Sequence, residues 1–555
     1  MPDSALRCTA RMRSPFLTSL LTTLAATATA QQEPGITSGR LHAVRVTTGD
    51  VFDAATASVR PLAGLVNAIH WQTRTEVVER EIWLQPGDLV TAEQAAELER
   101  NLRALGLFAE VTVRLVPFGT QGEVDLEVVT RDRLSVFVGG GASYVGGVSG
   151  YRVNAGESNL LGYGNRLGAS FYENSEGEFR GNLVYTDLHV FDSWHTATVR
   201  ASRTDEGDGI ALDVRRPFKH LADPLGYGLG AHRDETEIDF YRNGDSVAQV
   251  TDRGFGIGGD LTWATGPELR RRYAGLVFAI DAHDYDPATG PLAPEIRVPG
   301  DTQSLFLGTQ LRFAHIDGYR KVTGLDTLDY VQDLALGRFV GATLGARWRD
   351  EDGQDADLQP EANGYATWAT EPLTNVFLQL SARGGLRFAS GETVGSRGEL
   401  DGWLYVRTGE RNMLGGSATF DTANERQDLP LQLTLGEDNG LRGYGARQFV
   451  GSSRLRLNLE DRHDTTFELA TLRVGAVAFF DAGWVGEDDD LGQPYESVGV
   501  GLRIGSKPLF GDGLLRIDLA RPLDDVDGEN DGWKVSVSVD QVFTFGGNAS
   551  SLPAR

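Results

Sequence analysis

The sequence predicts a mainly β protein in which a transmembrane antiparallel β-barrel follows a small α+β segment. From Arg133 onward, apolar and polar residues alternate with a period of two for about four hundred residues. Glycine accounts for 69 of the 555 residues, which is well above the ~7% of an average protein, and it shows no collagen-like period. No apolar stretch reaches the roughly 20 residues that a membrane-spanning helix needs. These observations indicate that strands, rather than helices, cross the membrane.

The first thirty residues are organised like a secretory signal peptide. Three arginines precede an apolar run from Phe16 to Ala26, and Ala28-Thr29-Ala30 is typical of a cleavage site. Cys8 is the only cysteine of the chain and lies in this leader. We therefore expect a mature chain that forms no disulfide and has no cysteine-ligated metal.

Charge restricts the classes of partner. The chain carries a formal net charge of -26, and a field of that sign repels a phosphate backbone, so nucleic acid is not an expected partner. An exported, acidic and glycine-rich chain is typical of a bacterial outer-membrane barrel, and a large secreted β-solenoid would also fit. The lack of a short repeat period favours the barrel.

A compact mixed segment over residues 41–131 precedes the barrel. Its predicted strands are Leu41 to Val46, Glu110 to Val116 and Glu123 to Val129. Two helices are predicted between the first and second strands, because Thr73-Arg74-Thr75-Glu76 and Thr91-Ala92-Glu93-Gln94 both match the capping box. Their predicted apolar stripes are Val78 and Ile82 in the first helix, and Ala95, Leu98, Leu102 and Leu105 in the second. Gly106 is expected to end the second helix.

Three segments show the barrel pattern most clearly, namely Arg454 to Glu460, Leu515 to Ala520 and Trp533 to Asp540. In each segment one face is aliphatic and the other is charged or polar. A barrel with lipid outside and water in its lumen favours that arrangement, whereas a soluble sandwich does not. Because lipid offers no partner to free backbone groups, the sheet must close. The barrel is predicted over residues 132–543, and a tail follows over residues 544–555.

The pattern gives eighteen candidate strands, although stretches between residues 303 and 420 also fit loop excursions. Their starts lie near residues 133, 148, 165, 179, 194, 209, 226, 251, 271, 303, 337, 374, 398, 452, 471, 496, 513 and 533. Both chain ends are expected in the periplasm, which requires an even number of strands. This topology makes residues 486–495 and 524–532 extracellular loops and makes residues 461–466 and 505–511 periplasmic turns. The long segment from Thr422 to Val450 then starts on the extracellular side.

The strongest candidate for a functional contact is Arg442, in the run Leu441-Arg442-Gly443-Tyr444 of that long segment. Two strands later, alternation turns Phe479, Asp481 and Gly483 toward the lumen. We expect Arg442 to form charge-assisted hydrogen bonds with Asp481. Gly443 would let the loop backbone approach the barrel wall closely, and Tyr444 would pack against that wall.

These motifs, in this order, resemble the BamA/TamA superfamily of outer-membrane barrels, which includes bacterial surface antigens. Within residues 41–131, the run REIWLQPGDLVTAEQAAELERNLRALGLFAEVTV is similar to a POTRA domain (polypeptide-transport-associated). Asn159-Leu160-Leu161-Gly162, followed by Gly164 and Arg166, is similar to the turn after the second strand of that family. The resemblance covers residues 41–543. It implies sixteen strands in the bacterial outer membrane and a POTRA-like domain in the periplasm.

The resemblance also implies a function, which is to assist the insertion, assembly or translocation of client polypeptides. In that family the first and last strands pair poorly, and a client strand is templated on the exposed edge. The candidates for this seam are Leu134 to Ala142, with Gly139, Gly140 and Gly141, and Trp533 to Phe543, with Val535, Val537, Val539 and Phe543. The three glycines would weaken strand packing, or they accommodate a crowded lumen or a bulge. The implied partners are the lipid bilayer and client polypeptides held by the POTRA-like domain, and an accessory lipoprotein or periplasmic partner is left open.

Two features depart from the family pattern. The chain has room for one POTRA-like domain rather than two or more, and twelve residues follow Phe543. The single domain keeps an alternative function open, a passive outer-membrane channel or a surface antigen without an assembly role.

Enzymatic chemistry is not expected. The sequence contains no Gly-x-Ser-x-Gly elbow, no pair of zinc histidines and no Walker-type glycine loop. His70, His195 and His220 lack the spacing of metal ligands, so we predict no catalytic residue, no cofactor and no metal site. The acidic runs of residues 487–490 and 524–531 have oxygen atoms that could bind calcium, but we favour solvated surface loops as their explanation.

Overall fold

The computed structural model describes residues 37–119, 122–145, 148–175, 177, 179–204, 207–326, 328, 331–469, 472–487, 490–505, 514–526 and 532–539. The predicted leader, the predicted tail and Phe543 lie outside the described residues. None of the described helices is long and apolar enough to cross a membrane.

The N-terminal domain consists of one four-stranded sheet and four helices. Its elements are β1 (Ser38–Gly49), α1 (Ala54–Val59), α2 (Pro61–Ile69), α3 (Thr75–Arg80), β2 (Leu89–Thr91), α4 (Ala92–Ala104), β3 (Phe108–Pro117) and β4 (Glu123–Asp132). The strand order is β2-β1-β4-β3, and only the β1–β4 pair is parallel. All three strands predicted in this segment are confirmed.

Helix α4 follows the prediction closely. The Thr91 hydroxyl accepts from the backbone of Gln94 at 3.3 Å, and the Gln94 side chain accepts from the backbone of Thr91 at 3.0 Å. This capping box satisfies two amides that the first turn leaves without a helical partner. The predicted apolar stripe of α4 is buried in the core of the domain, and Gly106 takes the left-handed conformation after the helix.

The other predicted capping box is wrong. Helix α3 begins at Thr75, after Arg74, and no side chain caps it. Two tertiary contacts occupy Thr73 instead, because its backbone amide donates to Asp132 at 2.6 Å and its hydroxyl accepts from Asn159 at 2.9 Å. Attachment to the base of the barrel therefore decides the local structure at this position.

The short helices α1 and α2 were not predicted, although each has a recognisable start. The Asp53 carboxylate accepts from the backbone amide of Thr56 at 2.8 Å, which caps α1. Pro61 occupies the first position of α2, where its missing amide hydrogen costs nothing. Both helices lie in a segment that the POTRA-like pattern does not require.

The rest of the described chain forms one antiparallel sheet of twenty strands. The first fifteen strands are β5 (Val136–Val145), β6 (Val148–Leu160), β7 (Asn165–Asn174), β8 (Phe179–Asp187), β9 (Thr196–Thr204), β10 (Asp208–Arg216), β11 (Leu225–Arg242), β12 (Asp245–Thr265), β13 (Arg270–Tyr285), β14 (Thr302–Thr323), β15 (Val331–Glu351), β16 (Asp357–Leu373), β17 (Val376–Ala389), β18 (Glu392–Arg407) and β19 (Asn412–Glu425). The hairpin of β20 (Leu433–Leu435) and β21 (Phe449–Gly451) follows and forms a separate sheet. The last five strands are β22 (Ser453–Leu469), β23 (Leu472–Gly486), β24 (Tyr495–Gly505), β25 (Leu514–Pro522) and β26 (Lys534–Val539). The strand order returns β26 to the side of β5, which makes a barrel. No residue-by-residue register joins β26 to β5 within the described residues.

The implied count of sixteen strands is wrong, and the eighteen candidates omit β16 and β19. On the outer face of β16, Ala362, Gly364 and Ala366 stand opposite larger residues of β15. On the outer face of β19, Gly416 and Ala418 likewise interrupt the apolar row. Because these small residues give little contrast with the polar inner face, a period-two pattern is weak in both strands.

The inward and outward faces follow the predicted alternation. In β22, Leu459 is exposed on the outer face, whereas Asn458 and Glu460 are buried inside. In β23, Ala478 is exposed outside, and Phe479 and Asp481 are buried inside. The barrel thus has an apolar outer face and a charged lumen.

The N-terminal domain lies at one end of the barrel, here called the proximal end. It contacts the β6–β7, β8–β9 and β10–β11 turns there. The predicted periplasmic turn at residues 461–466 is wrong, because β22 continues to Leu469 through a register shift between Asp464 and Phe467. The segments 486–495 and 524–532 do connect strands at the opposite, distal end, and most of the predicted 505–511 turn lies outside the described residues.

Candidate functional site

Residues 426–452, here called the inner loop, leave β19 at the distal end and fold into the barrel. The hairpin of β20 and β21 forms its base. Gly440 and Gly443 have φ of 108° and 89°, a left-handed conformation that glycine adopts without strain. These two bends bring Leu441, Arg442 and Tyr444 into the lumen, where all three are buried.

The Arg442 guanidinium binds Asp481 in a bidentate manner. Its Nε donates to one carboxylate oxygen at 2.7 Å, and a terminal nitrogen donates to the other at 2.8 Å. The other terminal nitrogen donates to Glu460 at 2.8 Å and to Asp518 at 3.2 Å. The guanidinium carbon also lies 3.4 Å from the centre of the Phe479 ring, a cation–π contact. The arrangement fixes both the position and the plane of Arg442.

Arg442 belongs to a larger group of charges, here called the lumenal charge cluster. The cluster consists of Arg442, Glu460, Arg462, Asp481, Arg503, Arg516 and Asp518. Arg503 donates to Asp518 at 2.6 Å and to Glu460 at 3.3 Å. Four arginines thereby face three carboxylates, and all seven side chains are largely buried. Burial of a charge is tolerated when partners surround it, and removal of one partner from such a group costs about 3–5 kcal/mol.

Glycine residues on the inner loop and on the barrel wall lie where the two are in close contact. A Cβ atom on Gly443 would lie 3.2 Å from Ala520 and from Pro522, so the loop backbone lies directly against β25. A Cβ atom on Gly483 would lie 2.7 Å from the Leu435 side chain of the inner loop. Small residues on both sides therefore let the loop approach the wall.

Tyr444 anchors the distal side of the inner loop. Its hydroxyl donates to the carbonyl oxygen of Glu496 at 2.7 Å and to Asp524 at 3.1 Å. Its ring packs edge-on against Phe449 and Tyr495. The phenol thus connects the loop to the start of β24 and to the β25–β26 connection.

A second infolded segment enters from the proximal end and was not predicted. The β14–β15 turn, here called the inner turn, is described at residues 324–326 and 328. The Leu325 carbonyl accepts from Arg462 at 2.9 Å, and Asp326 accepts from the Tyr405 hydroxyl at 3.0 Å. Leu328 packs against Gly475, where a Cβ atom would lie 2.8 Å away. The sequence signal for this infolding is a pair of leucines, Leu325 and Leu328, in an otherwise polar turn.

Glu460 and Arg462 of β22 connect the inner loop to the inner turn. One oxygen of Glu460 accepts from Arg442, and the other accepts from Arg462 at 2.7 Å. Arg462 then reaches the backbone of Leu325. A continuous series of hydrogen bonds therefore runs from the distal loop to the proximal turn.

The N-terminal domain holds the two strands that flank the inner turn. Arg103 of α4 binds Asp333 of β15 through two hydrogen bonds of 2.6 and 2.8 Å. Glu99 of α4 accepts from Lys321 of β14. The base of the inner turn is thus attached on both sides to a single helix of the domain.

Two buried carboxylates of the domain contact other proximal turns. Glu97 accepts from the backbone amide of Leu221 at 2.5 Å, and burial raises the pKa of Glu97 to about 7. Glu81 accepts from His189 at 2.7 Å and from Lys219 at 3.0 Å. Burial works to raise the pKa of Glu81, but these two partners outweigh it and hold the pKa below its ordinary value.

The predicted turn at Asn159 joins the domain to the barrel. Asn159 donates to the carbonyl oxygen of Trp71 at 2.8 Å and accepts from the Gly164 amide at 2.8 Å. Arg166 donates to the carbonyl oxygen of Leu105 in the domain. The residues that carry the family resemblance at this turn therefore have a structural role in orienting the domain.

The candidate seam residues lie in β5 and β26, apart from Phe543. Gly139, Gly140 and Gly141 pair with Asn154, Val153 and Arg152 of β6. Val535, Val537 and Val539 pair with Leu519, Ile517 and Leu515 of β25. The two strands are neighbours in the strand order, and β26 is the shortest of the twenty strands over its described length.

The histidines bind protein partners. His70 lies between Ser135 at 3.0 Å and Asp132 at 2.9 Å, and His195 contacts the Tyr227 hydroxyl at 2.7 Å. His220 stacks on the Trp83 ring. No group of metal-ligating side chains occurs among the residues that the structure describes. Both acidic runs lie partly outside those residues.

Comparison with known proteins finds similarity among solved structures alone. No family model and no curated protein matches the chain. The crystal structure of BamA from Haemophilus ducreyi lacking POTRA domains 1-3 matches 84% of this chain and 82% of its own, with 12% identity and a TM-score of 0.41. CdiB from Escherichia coli matches 94% and 92%, with 11% identity and a TM-score of 0.42. CdiB from Acinetobacter baumannii matches 90% and 74%, with 10% identity and a TM-score of 0.40. Because these TM-scores are below 0.5, the argument for function rests on the residues of the lumen.

Proposed function

We propose that this protein is a bacterial outer-membrane barrel of the BamA/TamA type that assists the insertion, assembly or translocation of client polypeptides. The observation that carries the proposal is the bidentate contact between Arg442 of the inner loop and Asp481 of the wall. It joins the two motifs on which the family resemblance rests. The protein would act through strand pairing and binding, without covalent chemistry or a cofactor.

The junction of β5 and β26 is where a client strand would pair. The described part of β26 contains six residues and holds β25 through six residue pairs. A short last strand beside glycine-rich β5 has few contacts to lose on opening. An incoming strand could then take the free backbone groups of β5 by β-augmentation.

The N-terminal domain would receive the client in the periplasm. Its sheet has β2 and β3 at its edges, and an edge strand offers unpaired backbone donors and acceptors to an extended peptide. Its attachment to the turn after β6 places it next to the proposed seam. This placement supports a single POTRA-like domain that delivers clients to β5.

A passive channel or a surface antigen without an assembly role is the alternative function. An open channel requires a continuous aqueous path through the lumen. The inner loop and the inner turn enter the lumen from opposite ends, and the lumenal charge cluster connects them. This arrangement favours a barrel that is closed at rest.

Depletion of the protein tests the assembly function. We expect depleted cells to lose a subset of other outer-membrane barrels, measured by quantitative proteomics of the outer membrane. Wild-type protein should restore them, and Arg442→Ala should restore them poorly at equal abundance. Normal levels of every other barrel would contradict the proposal. A photocrosslinker at Leu89 in β2 would then show whether the domain contacts any client.

A further inference from the structure

Helices α1 and α2 form a hairpin with several apolar side chains that are not buried against the rest of the N-terminal domain. Its helices have the sequences AATASV and PLAGLVNAI, which contain no charged residue. Val59 is 76% exposed, Leu65 is 56% exposed and Ile69 is 51% exposed. Trp71, two residues after α2, is 45% exposed. A surface helix of a soluble domain would present polar side chains at these positions.

The end of this hairpin is fixed to the proximal rim of the barrel. His70 follows α2 directly and binds Asp132 and Ser135, and Ser135 immediately precedes β5. The carbonyl oxygen of Trp71 accepts from Asn159 at the end of β6. Farther along, Arg74 donates from its backbone to the Gly162 carbonyl at 3.0 Å. Residues 70–74 therefore follow the rim at β5, β6 and β7.

The apolar surface of the barrel continues at the same place. Leu161 and Tyr163 are exposed in the β6–β7 turn, and Val138 is exposed near the start of β5. Val138 pairs with Ala155, which shares the outer face of the barrel with Val153 and Ala169. Exposed apolar residues of the hairpin and of the outer barrel face thus meet at one rim.

We propose that the α1–α2 hairpin rests on the membrane leaflet at the proximal rim, beside β5 and β6. This inference depends on the proposed membrane location of the barrel. The occupant that fits the surface is lipid, because the exposed side chains of both helices are uncharged and the apolar surface is continuous with the outer face of the barrel. The one charged residue between the two helices is the exposed Arg60, whose long side chain can extend to the headgroups. Tryptophan at the edge of such a surface favours the boundary between acyl chains and headgroups. The hairpin would hold the domain beneath the strand that opens the barrel.

Site-directed spin labelling of the full chain can test the contact. In a Cys8→Ser background, which contains no other cysteine, a nitroxide is placed at Leu65 after reconstitution into vesicles of phosphatidylethanolamine and phosphatidylglycerol. Power saturation then compares collisions with oxygen, which partitions into lipid, and with a water-soluble nickel chelate. We expect oxygen collisions to dominate at position 65.

Leu89 is the matched control, because it is a leucine of the same domain that is also largely exposed, at 71% against 56% for Leu65. It pairs with Arg40 near the start of β1, whereas α1 follows the other end of that strand. Nine residues of strand separate these ends by about 30 Å. We expect nickel collisions to dominate at position 89.

A third label at Leu459, on the outer face of β22, separates two kinds of failure. Oxygen dominance at 459 with nickel dominance at 65 would overturn the hairpin proposal and leave the membrane barrel intact. Protection of position 65 from both reagents would also overturn it, since that result indicates a protein partner. Nickel dominance at 459 would contradict the proposed membrane location itself.

A second set of variants tests the contact chemically. With the label at Val59, the pair Leu65→Glu and Ile69→Glu should lower oxygen accessibility to the level of the aqueous control. Leu89→Glu should leave the Val59 signal unchanged. The heat-dependent gel mobility of each variant shows whether the barrel has folded. A folded Leu65→Glu, Ile69→Glu variant that keeps the lipid signal at Val59 would overturn the proposal.

Discussion

At the scale of single residues, the lumenal charge cluster makes a specific prediction for Arg442 and Asp481. Arg442→Ala removes the contacts of the inner loop with all three carboxylates of the cluster, whereas Asp481→Ala leaves Arg442 with Glu460 and Asp518. Each change should lower the free energy of opening the inner loop by about 3–5 kcal/mol, with Arg442→Ala the larger. Hydrogen exchange of residues 441–444 measures this opening.

The double variant shows whether the two residues act as a unit. Because either single change already breaks the contact, the double change should cost little more than Arg442→Ala alone. Arg447→Ala is the control, since Arg447 lies on the same loop but outside the lumenal charge cluster, where it pairs with Asp438 at 3.6 Å and lies over the ring of Tyr241 in β11 at 4.7 Å. Because these contacts are more exposed, that change should cost about 1 kcal/mol, less than either change in the cluster. Additive losses for Arg442 and Asp481 would contradict a shared contact.

At Gly443, the cost of a left-handed backbone can be measured separately from the cost of close contact with β25. Gly443→Ala adds a Cβ atom 3.2 Å from Ala520 and Pro522 at a φ of 89°. Gly391→Ala, in the β17–β18 turn, has a φ of 85° and meets nothing within 4 Å. Each change should cost about 1–2 kcal/mol through the left-handed backbone, and Gly443→Ala should cost more. Equal effects on thermal unfolding would mean that the loop does not press on β25.

At the scale of elements, helix α4 should bind the β10–β11 turn in a pH-dependent way. The pKa of Glu97 in the docked domain is about 7, above its ordinary 4.5, so docking favours the protonated carboxyl. The contribution of Glu97 to the stability of docking is complete below pH 4.5 and is lost as the pH rises through 7. The Leu221 amide and Arg100 oppose this shift, and Glu268 and Asp223 add to it.

Hydrogen exchange of residues 217–224 measures the docking of α4. Between pH 5 and pH 8, hydrogen exchange of these residues should accelerate by more than the intrinsic exchange rate does. Glu97→Gln should remove this additional pH dependence. Glu93→Gln changes an exposed carboxyl in the first turn of the same helix and should leave it unchanged. An unaltered pH profile in Glu97→Gln would assign the dependence to another group.

The connection from the inner loop to the inner turn is also a property of elements. Arg462→Ala removes the hydrogen bond to Leu325 and one partner of Glu460. Exchange should therefore increase both in residues 324–326 and in residues 441–444. Arg473→Ala is the control, because it breaks a pair with Asp464 between the same two strands, and Asp464 belongs to neither segment. A response in the turn alone would show that the segments open independently.

The elements also show what the sequence could predict. Helix α4 and strands β22 to β25 were accessible, because capping and alternation are local and agree with the tertiary packing. Strands β16 and β19 were not, since alanine and glycine interrupt the apolar rows of their outer faces. Thr73 failed as a cap because Asp132 and Asn159, distant in sequence, bind it.

The candidate site likewise contains some contacts that local sequence patterns predict and others that depend on residues distant in sequence. The contact of Arg442 with Asp481 follows from alternation in β23 and from one conspicuous arginine. Alternation places Glu460 on the polar face of β22, but no local pattern connects it with Arg442. The role of Arg462 depends on the inner turn, which no local pattern places inside the barrel. Long-range contacts of this kind become visible once strand register is known.

At the scale of the whole molecule, a twenty-stranded barrel is wide enough for an aqueous channel, since barrels of 16–18 strands already contain one. The described residues instead place segments from both ends in the lumen. In planar bilayers we therefore expect wild-type protein to conduct rarely and briefly. Arg442→Ala should increase the time spent open, because the inner loop loses its attachment to the wall.

Replacement of residues 436–447 by a short glycine-serine linker should convert brief openings into a steady current, since this removes the inner loop from the lumen. Arg447→Ala should conduct like wild type, as it leaves the lumenal charge cluster intact. A large steady current in the wild-type protein would contradict a barrel closed at rest and would favour the passive channel. A closed wild type that opens in Arg442→Ala would indicate that the attachment of Arg442 to the barrel wall holds a gate, because both proteins contain the same loop and differ in that attachment alone.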